Sequence, residues 1–304
     1  MRKIVAAVIF AVMLCTSCFA SSREEVVDSG VLTYLGTTEA EFQGGLDDLR
    51  KALAPLIPED ESEWAEEDRL EGFIGSLAKT RRVVHFYDSL LAMQMALRSK
   101  KIDEIALPEA AGMYLIANNP NYDILFSLNM MPSTISFGFK RGNTGLQQAF
   151  NRAIASMKED GTLANLERIY IRDMSMNDPM PVKFQEYKGA RTIRVAVTGD
   201  LPPIDYIASD GTPTGYNTAL LAQIGRRLQR NIRLISVDAG GRSAALASER
   251  ADVVFWYRST EGLKTPAKVK GRNLKGVMKD SLDGVILSDP YYEWDTDLII
   301  GRAQ

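Results

Sequence analysis

From Val31 to Leu125 short apolar runs alternate with stretches of helical period: "VLTYLG", a long mixed segment, "RRVVHFY", "DSLLAMQMALRS", "IDEIALP", "EAAGMYLIANN" and "YDILFSL". Continuous apolar runs separated by amphipathic helices are what a parallel sheet covered by helices requires, because its strands are buried on both faces. In "DSLLAMQMALRS", Leu90, Leu91, Met95 and Leu97 recur at helical intervals and are predicted to face the core, with Asp88 or Ser89 capping the first turn. From Ser133, "STISFGFK" alternates as a strand does. The helix that follows carries Leu146, Phe150, Ile154 and Met157 as one stripe ending at Gly161, and "TLANLERIYI" is a shorter helix.

The periodicity then stops. Asp173 to Ala190, "DMSMNDPMPVKFQEYKGA", has two prolines and a turn-prone Asn-Asp-Pro, and reads as a connector wrapping over a surface. Beyond it the alternation resumes with "TIRVAVT" as a buried strand, "DLPP" as a rigid corner and "YIASDGTPTGY" as a hairpin turning at Asp210-Gly211. A helix follows with Leu220, Leu221, Ile224 and Leu228 inward. "IRLISV" and "DVVFWYR" are strands, and "DGVILSDPYYEWDTDLII" holds two more. The pattern predicts two α/β units.

Composition narrows the functional classes. A net charge of -3 over 304 residues offers no electrostatic basis for binding nucleic acid. Arg2-Lys3, the apolar run Ile4 to Leu14 and the small residues after it form the three-part pattern of an export signal occupying residues 1–20. Two processing routes fit. Cys18-Phe19-Ala20 before Ser21 resembles a small-x-small cleavage site, and Cys15-Thr16-Ser17-Cys18 resembles a lipoprotein box that would place a lipid on Cys18. The only two cysteines lie in that leader, so the folded part has no disulfide to rely on. No later run reaches the ~18 apolar residues of a membrane span, which leaves a lipid as the only expected membrane attachment. One histidine argues against a zinc or Cys/His catalytic centre, and His85 within "RVVHFY" is read as structural. The acidic stretch "EDESEWAEEDRLEG" is read as a solvated helical face.

The second unit resembles the first lobe of the family 3 extracellular solute-binding proteins, the polar amino acid binding components of ABC importers. The resemblance is carried by "IRVAVTGDLPPIDYIASDGTPTGYNTALLAQIGRRL", "AALASERADVV" and "SDPYY", in the family's order and near its spacings. The first unit resembles that family's second lobe through Gly36-Thr37-Thr38, "VVHFYDSLLAMQMALRSKKIDEIAL" and "PEAAGMYLI". The family's closing segment, which returns to the first lobe, is matched by "FGFKRGNTGLQQAFNRAIASMKEDGTLANLERIYI". Each piece occurs once but in altered order: a second-lobe-like unit over 27–128, the returning segment over 129–172, the connector over 173–190 and a first-lobe-like unit over 191–304. A circular permutation predicts this order, and an interrupted tandem is the rival account.

The resemblance implies an α/β, two-lobed, periplasmic-binding-protein-like (type 2) fold with a hinge and a central ligand cleft. It further implies an exported, monomeric protein, periplasmic or at the cell surface, that captures a small polar or aromatic solute and presents it to an ABC permease, with no cofactor and no metal. Candidate ligand-binding residues are Thr37 and Thr38, which follow a strand and precede a helix and so suit an anionic group. Across the cleft they are Asp200 and Ile204 at the corner, and Trp256, Tyr257, Arg258 and Ser259 at a strand end, where alternation sends Trp256 and Tyr257 to opposite faces.

Three departures bear on specificity. Ile204 stands where amino-acid binders place an aromatic residue. No Arg follows Ser259 at the position of their α-carboxylate ligand, and Pro108 replaces their Asp for the α-amino group, leaving neighbouring Glu109 as its substitute. Losing two charge-assisted hydrogen bonds would cost on the order of 3–6 kcal/mol, so amino-acid specificity does not transfer. Two other classes stay open: a sensory or interaction module with a degenerate pocket, and an enzyme similar to cyclohexadienyl dehydratases in which Asp200, Glu109 or Asp205 would act as acid or base.

Overall fold

The computed structural model describes residues 25–32, 80–173, 181–208, 210–238, 241–259 and 284–303. Thr37, Thr38, Cys18, the residues 1–20 read as an export signal and the acidic stretch lie outside the described residues, as do the side chains of Trp256, Tyr257, Arg258 and Ser259.

The first unit contains β1 (Glu25–Leu32), β2 (Thr80–Tyr87), α1 (Leu90–Arg98), β3 (Glu104–Pro108) and α2 (Glu109–Ala117). The long strand β4 (Tyr122–Lys140) leads to α3 (Thr144–Glu159), α4 (Thr162–Glu167) and a single π-helical turn over Arg168–Arg172. The second unit comprises β5 (Thr192–Val197), the short strands β6 (Asp200–Leu201), β7 (Asp205–Ile207) and β8 (Pro213–Thr214), α5 (Tyr216–Leu228), β9 (Asn231–Ser236), α6 (Gly241–Ala247), β10 (Val253–Ser259) and β11 (Val285–Leu287). The chain then enters β12 (Tyr292–Arg302).

Nine strands share one sheet in the order β2-β1-β3-β12-β4-β10-β5-β9, with β11 on the free side of β4, while β6, β7 and β8 form a small antiparallel sheet of their own. In the first half β1 runs parallel to β2 and to β3; in the second β5 runs parallel to β9 and to β10. Each half therefore has the parallel core that the alternating pattern predicts, closed by an antiparallel strand. β12 is that strand for the first half, with Leu298 opposite Leu107. The C-terminal part of β4 is that strand for the second, with Val253 opposite Phe139. β4 and β12 also pair with each other antiparallel from Tyr122↔Arg302 to Ile135↔Tyr292, and so join the halves.

The sequence pattern predicts "YDILFSL" and "STISFGFK" as separate strands, and the structure makes them one. The alternation fails between them because the register slips there: Met130, Met131 and Pro132 stand against the single residue Asp295. β1 likewise extends upstream of the apolar run read as its start, beginning at Glu25. The stripe on α1 also differs. Leu90, Met93, Ala96 and Leu97 are buried, whereas Leu91 and Met95 are 60% and 59% exposed. Leu90, Met93 and Leu97 lie at i, i+3 and i+7 on one helical face, and Leu91 with Met95 lies on the neighbouring face. Ser89 is the cap, its Oγ accepting from the amide of Ala92 at 3.2 Å.

The core of the second half is aromatic. Phe137 of β4, fully buried, meets Phe150 of α3 at 5.1 Å in an edge-to-face pair, Phe255 of β10 at 5.8 Å and Tyr291 at 4.5 Å. Its backbone is tied to Ser288, whose Oγ accepts from the Phe137 amide at 2.9 Å while its own amide donates to the Phe137 carbonyl at 2.8 Å. In the first half α2 lies so close to β12 that a side chain at Gly112 would meet Leu298 Cδ1 at 2.9 Å. Phe137→Ala is expected to lower stability by about 3–5 kcal/mol, read from the midpoint of denaturant unfolding, because it leaves a cavity between three elements.

Candidate functional site

The sequence "PPIDYIASDGTPTGYN" folds as a bracket around the start of α5. Gly215 sits at φ 94°, and any side chain there would meet the carbonyl oxygens of Pro203 and Ile204 at 2.9 Å. That close approach lets the first amides of α5 donate to the corner: Tyr216 N to Pro203 O at 3.0 Å and Asn217 N to Ile204 O at 2.9 Å. The corner carbonyls thus do the work of an N-cap side chain. The hairpin turns at Asp210-Gly211 as the sequence predicts, with Asp210 Oδ1 accepting from Thr212 N at 2.8 Å. Ile204 is 1% exposed. The structure uses it to anchor α5 through its carbonyl and to fill the core with its side chain.

Next to this bracket lies a buried charged group that the pattern of apolar positions does not announce. Asp205 and Arg242 are both buried. Thr198 joins them: its Oγ1 donates to Asp205 Oδ2 at 3.3 Å and accepts from Arg242 Nη2 at 3.0 Å. Gly199 N adds a long contact to Asp205 Oδ2 at 3.4 Å, and Arg242 Nη1 donates to Phe255 O at 3.4 Å. The residues just past β5 therefore hold the carboxylate, and through Thr198 they link it to Arg242 in the first turn of α6, which is itself tied to Phe255 of β10. Burial pushes that carboxyl up to about 6, against the pull of the Arg242 charge and the Gly199 amide, with Asp200 adding to the rise. Tyr291 continues the polar layer, its hydroxyl donating to Asn217 Oδ1 at 3.1 Å and its carbonyl accepting from the Tyr216 hydroxyl at 3.0 Å.

Two contacts span from this face to the first unit. Asp200 Oδ2 accepts from Leu90 N, the first amide of α1, at 3.1 Å. Tyr206 of β7 and Tyr114 of α2 bring their ring centroids to 5.9 Å, and Tyr206 is pushed up by burial and then by the Tyr114 hydroxyl. Glu109, exposed in the first turn of α2, is near enough to Tyr292 for its charge to add to the burial and the Glu167 charge that push that phenol up to about 12. Of the residues singled out from sequence, Asp200 and Glu109 come from opposite units onto this region. Trp256, Tyr257, Arg258 and Ser259 are described here through their backbone alone, with Trp256 opposite Ser136 and Ser259 opposite Thr134 across a register shift. Thr198 and Arg242 were missed. "VTGD" marks Thr198 only as the end of a strand, and Arg242 in "GGRSAALASE" has the spacing of a helix surface. His85 pairs with Asp28, Nε2 to Oδ1 at 2.8 Å, a contact between β2 and β1 at the sheet edge. Among the described residues no group of three or more His, Cys, Asp or Glu could hold a metal ion.

Against this geometry, the model of the bacterial extracellular solute-binding proteins, family 3, matches residues 193–260, the span from β5 through β10. No curated protein sequence matches the chain. Among solved structures, the ligand-binding component of an ABC-type import system from Staphylococcus aureus, with zinc bound, is similar at a TM-score of 0.41 and 11% identity. That match covers 92% of this chain and 66% of that one. NikA from Staphylococcus aureus in complex with Ni(L-His)2 is similar at a TM-score of 0.40 and 12% identity, over 73% of this chain and 57% of that one. The VFT2 domain of Bordetella pertussis BvgS is similar at 0.37 and 11%, over 91% and 80%. The chain spans less than two thirds of the length of the first two. Two α/β units, each with a parallel core and an antiparallel closing strand, are joined through the pairing of those closing strands, β4 and β12. The solute-binding family match falls on the unit that carries the Asp205 group.

The raised Asp205 carboxyl makes a signed prediction. The folded state holds its proton to higher pH than the unfolded chain does, so its contribution is full at pH below about 4 and is lost as pH rises toward about 6. Asp205→Asn carries no such titration. The stability of this variant relative to the parent protein, measured by denaturant unfolding from pH 4 to 8, is expected to climb by about 1–3 kcal/mol up to pH 6 and then level off.

Proposed function

We propose that the chain is an exported, non-catalytic solute-binding protein that closes its two units around a small polar or aromatic solute and delivers it to an ABC permease. The observation that carries this reading is the opposed pair of faces: the starts of α1 and α2 on one unit, and the ends of β5 and β10 with the β6 corner on the other. Strand ends and helix starts of this kind are where open α/β sheets gather ligands, and two strands shared between the units allow a hinge. The family match over residues 193–260 supports the same reading.

In this reading Thr37 and Thr38, Glu109, Asp200 and Trp256 to Ser259 bound the solute, Ile204 supports the corner from the core behind it, and Cys18 carries a lipid if the lipoprotein route is taken. The order of the elements is a circular permutation of the family's, with the connector from Asp173 to Ala190 joining its old ends. Two topological facts support this: β4 enters the second unit between β10 and β11, and β12 closes the first unit beside β3. Joining ends that lie in one unit adds only on the order of 0.6 kcal/mol per doubling of loop length.

A thermal-shift screen of amino acids, small peptides and cyclic acids tests the binding role. A true solute at about a hundred times its dissociation constant is expected to raise the midpoint by roughly 5–10 °C. A screen without any stabilising solute sinks this reading in favour of an interaction module, and turnover of prephenate-like acids replaces it with an enzyme.

A further inference from the structure

We propose that Asp200 is an intramolecular clasp that holds the two units together without a solute. The first amides of a helix have no partner within it and lie at the positive end of its dipole, so they favour a carboxylate. On α1, Ser89 Oγ serves Ala92 N at 3.2 Å, and the amide of Leu90 takes Asp200 Oδ2 at 3.1 Å. The two partners are 110 residues apart in the chain and belong to opposite units. The contact is sheltered, since Leu90 is 4% exposed and Asp200 half-buried, so water competes for it poorly.

A second contact bridges the same gap. Tyr206, 7% exposed, packs on Tyr114 with centroids 5.9 Å apart, and β7 is held to β6 by the pairing of Tyr206 with Asp200 itself. Asp200 and Tyr206 thus move as one piece. Releasing the carboxylate withdraws the ring, and opening exposes a face that closure had buried. Because the carboxylate belongs to the chain, closure needs no solute, which makes the clasp independent of the solute-binding reading.

The test uses Asp200→Ala and the isosteric Asp200→Asn, which keeps an acceptor oxygen but not the charge. Two quantities are read in solute-free protein: the radius of gyration by X-ray scattering, and hydrogen exchange at the Leu90 amide, with Met93, bonded to Ser89 O at 3.2 Å, as the internal control. For Asp200→Ala the expected result is a larger radius together with Leu90 exchange faster by on the order of tenfold or more, Met93 keeping its protection. Asp200→Asn should fall between the two and recover no further at high salt. The proposal is overturned if Leu90 exchange is unchanged in both variants. It is equally overturned if exchange rises while the radius stays the same, because the bond is then a local helix cap and no clasp.

Discussion

The antiparallel pairing of β4 with β12 is the constraint on which the architecture rests. Each strand closes one parallel half-sheet and is shared with the other, so neither half completes its hydrogen bonding without the crossing pair. A parallel core cannot expose its faces or its edges cheaply, and here the first core meets β12 and the second meets β4 on its inner edge. The pairing slips by a bulge at Met130 to Pro132, at the place where the strands pass from one half to the other. A proline there removes a ladder amide where regular pairing has already lapsed. The two halves are thus continuous in hydrogen bonding yet joined at a point of locally weakened ladder, which is the mechanical character a hinge needs.

Much of this was legible in sequence, and the reasons are local. β2, β5, β9 and β10 lie under "RRVVHFY", "TIRVAVT", "IRLISV" and "DVVFWYR" because β-branched and aromatic runs favour strands, whether central like β5 and β10 or at the sheet's edges like β2 and β9. α3 showed itself by the stripe through Phe150, Ile154 and Met157, all buried. What failed was ambiguity between two adjacent helical stripes on α1, where Leu91 and Met95 are as apolar as Met93 and only the position of β1 and β3 selects the inward face. A virtual side chain on Gly30 of β1 would meet Met93 Cγ at 3.0 Å, which shows how closely that chosen face is packed.

The candidate site was legible at its carboxylates and illegible at what holds them. Asp200 and Asp205 flank a Pro-Pro corner, a local signature. The partner of Asp200 is a backbone amide, and backbone donors leave no mark in sequence. Arg242 is placed by a convergence of β5, α6 and β10, and a charge on a short amphipathic helix is ordinarily solvated. Opposite charges buried this deep contribute little net stability, since desolvation offsets most of their attraction. Their effect is instead on position: Thr198 between the two charges fixes the end of β5 relative to the first turn of α6.

The side chain of Asn231, at the start of β9, accepts from the amide of Tyr187 at 2.8 Å and donates to the carbonyls of Tyr187 and Ala190 at 3.1 and 3.2 Å. One amide group therefore rivets the incoming chain to the strand beside which β5 must run, two residues before β5 starts. The rivet insulates the sheet from whatever precedes it. Slack, tension or altered length upstream of Tyr187 ends at Asn231, so the register of Thr192 against Asn231 is set by the unit itself and not by the tether that delivers it.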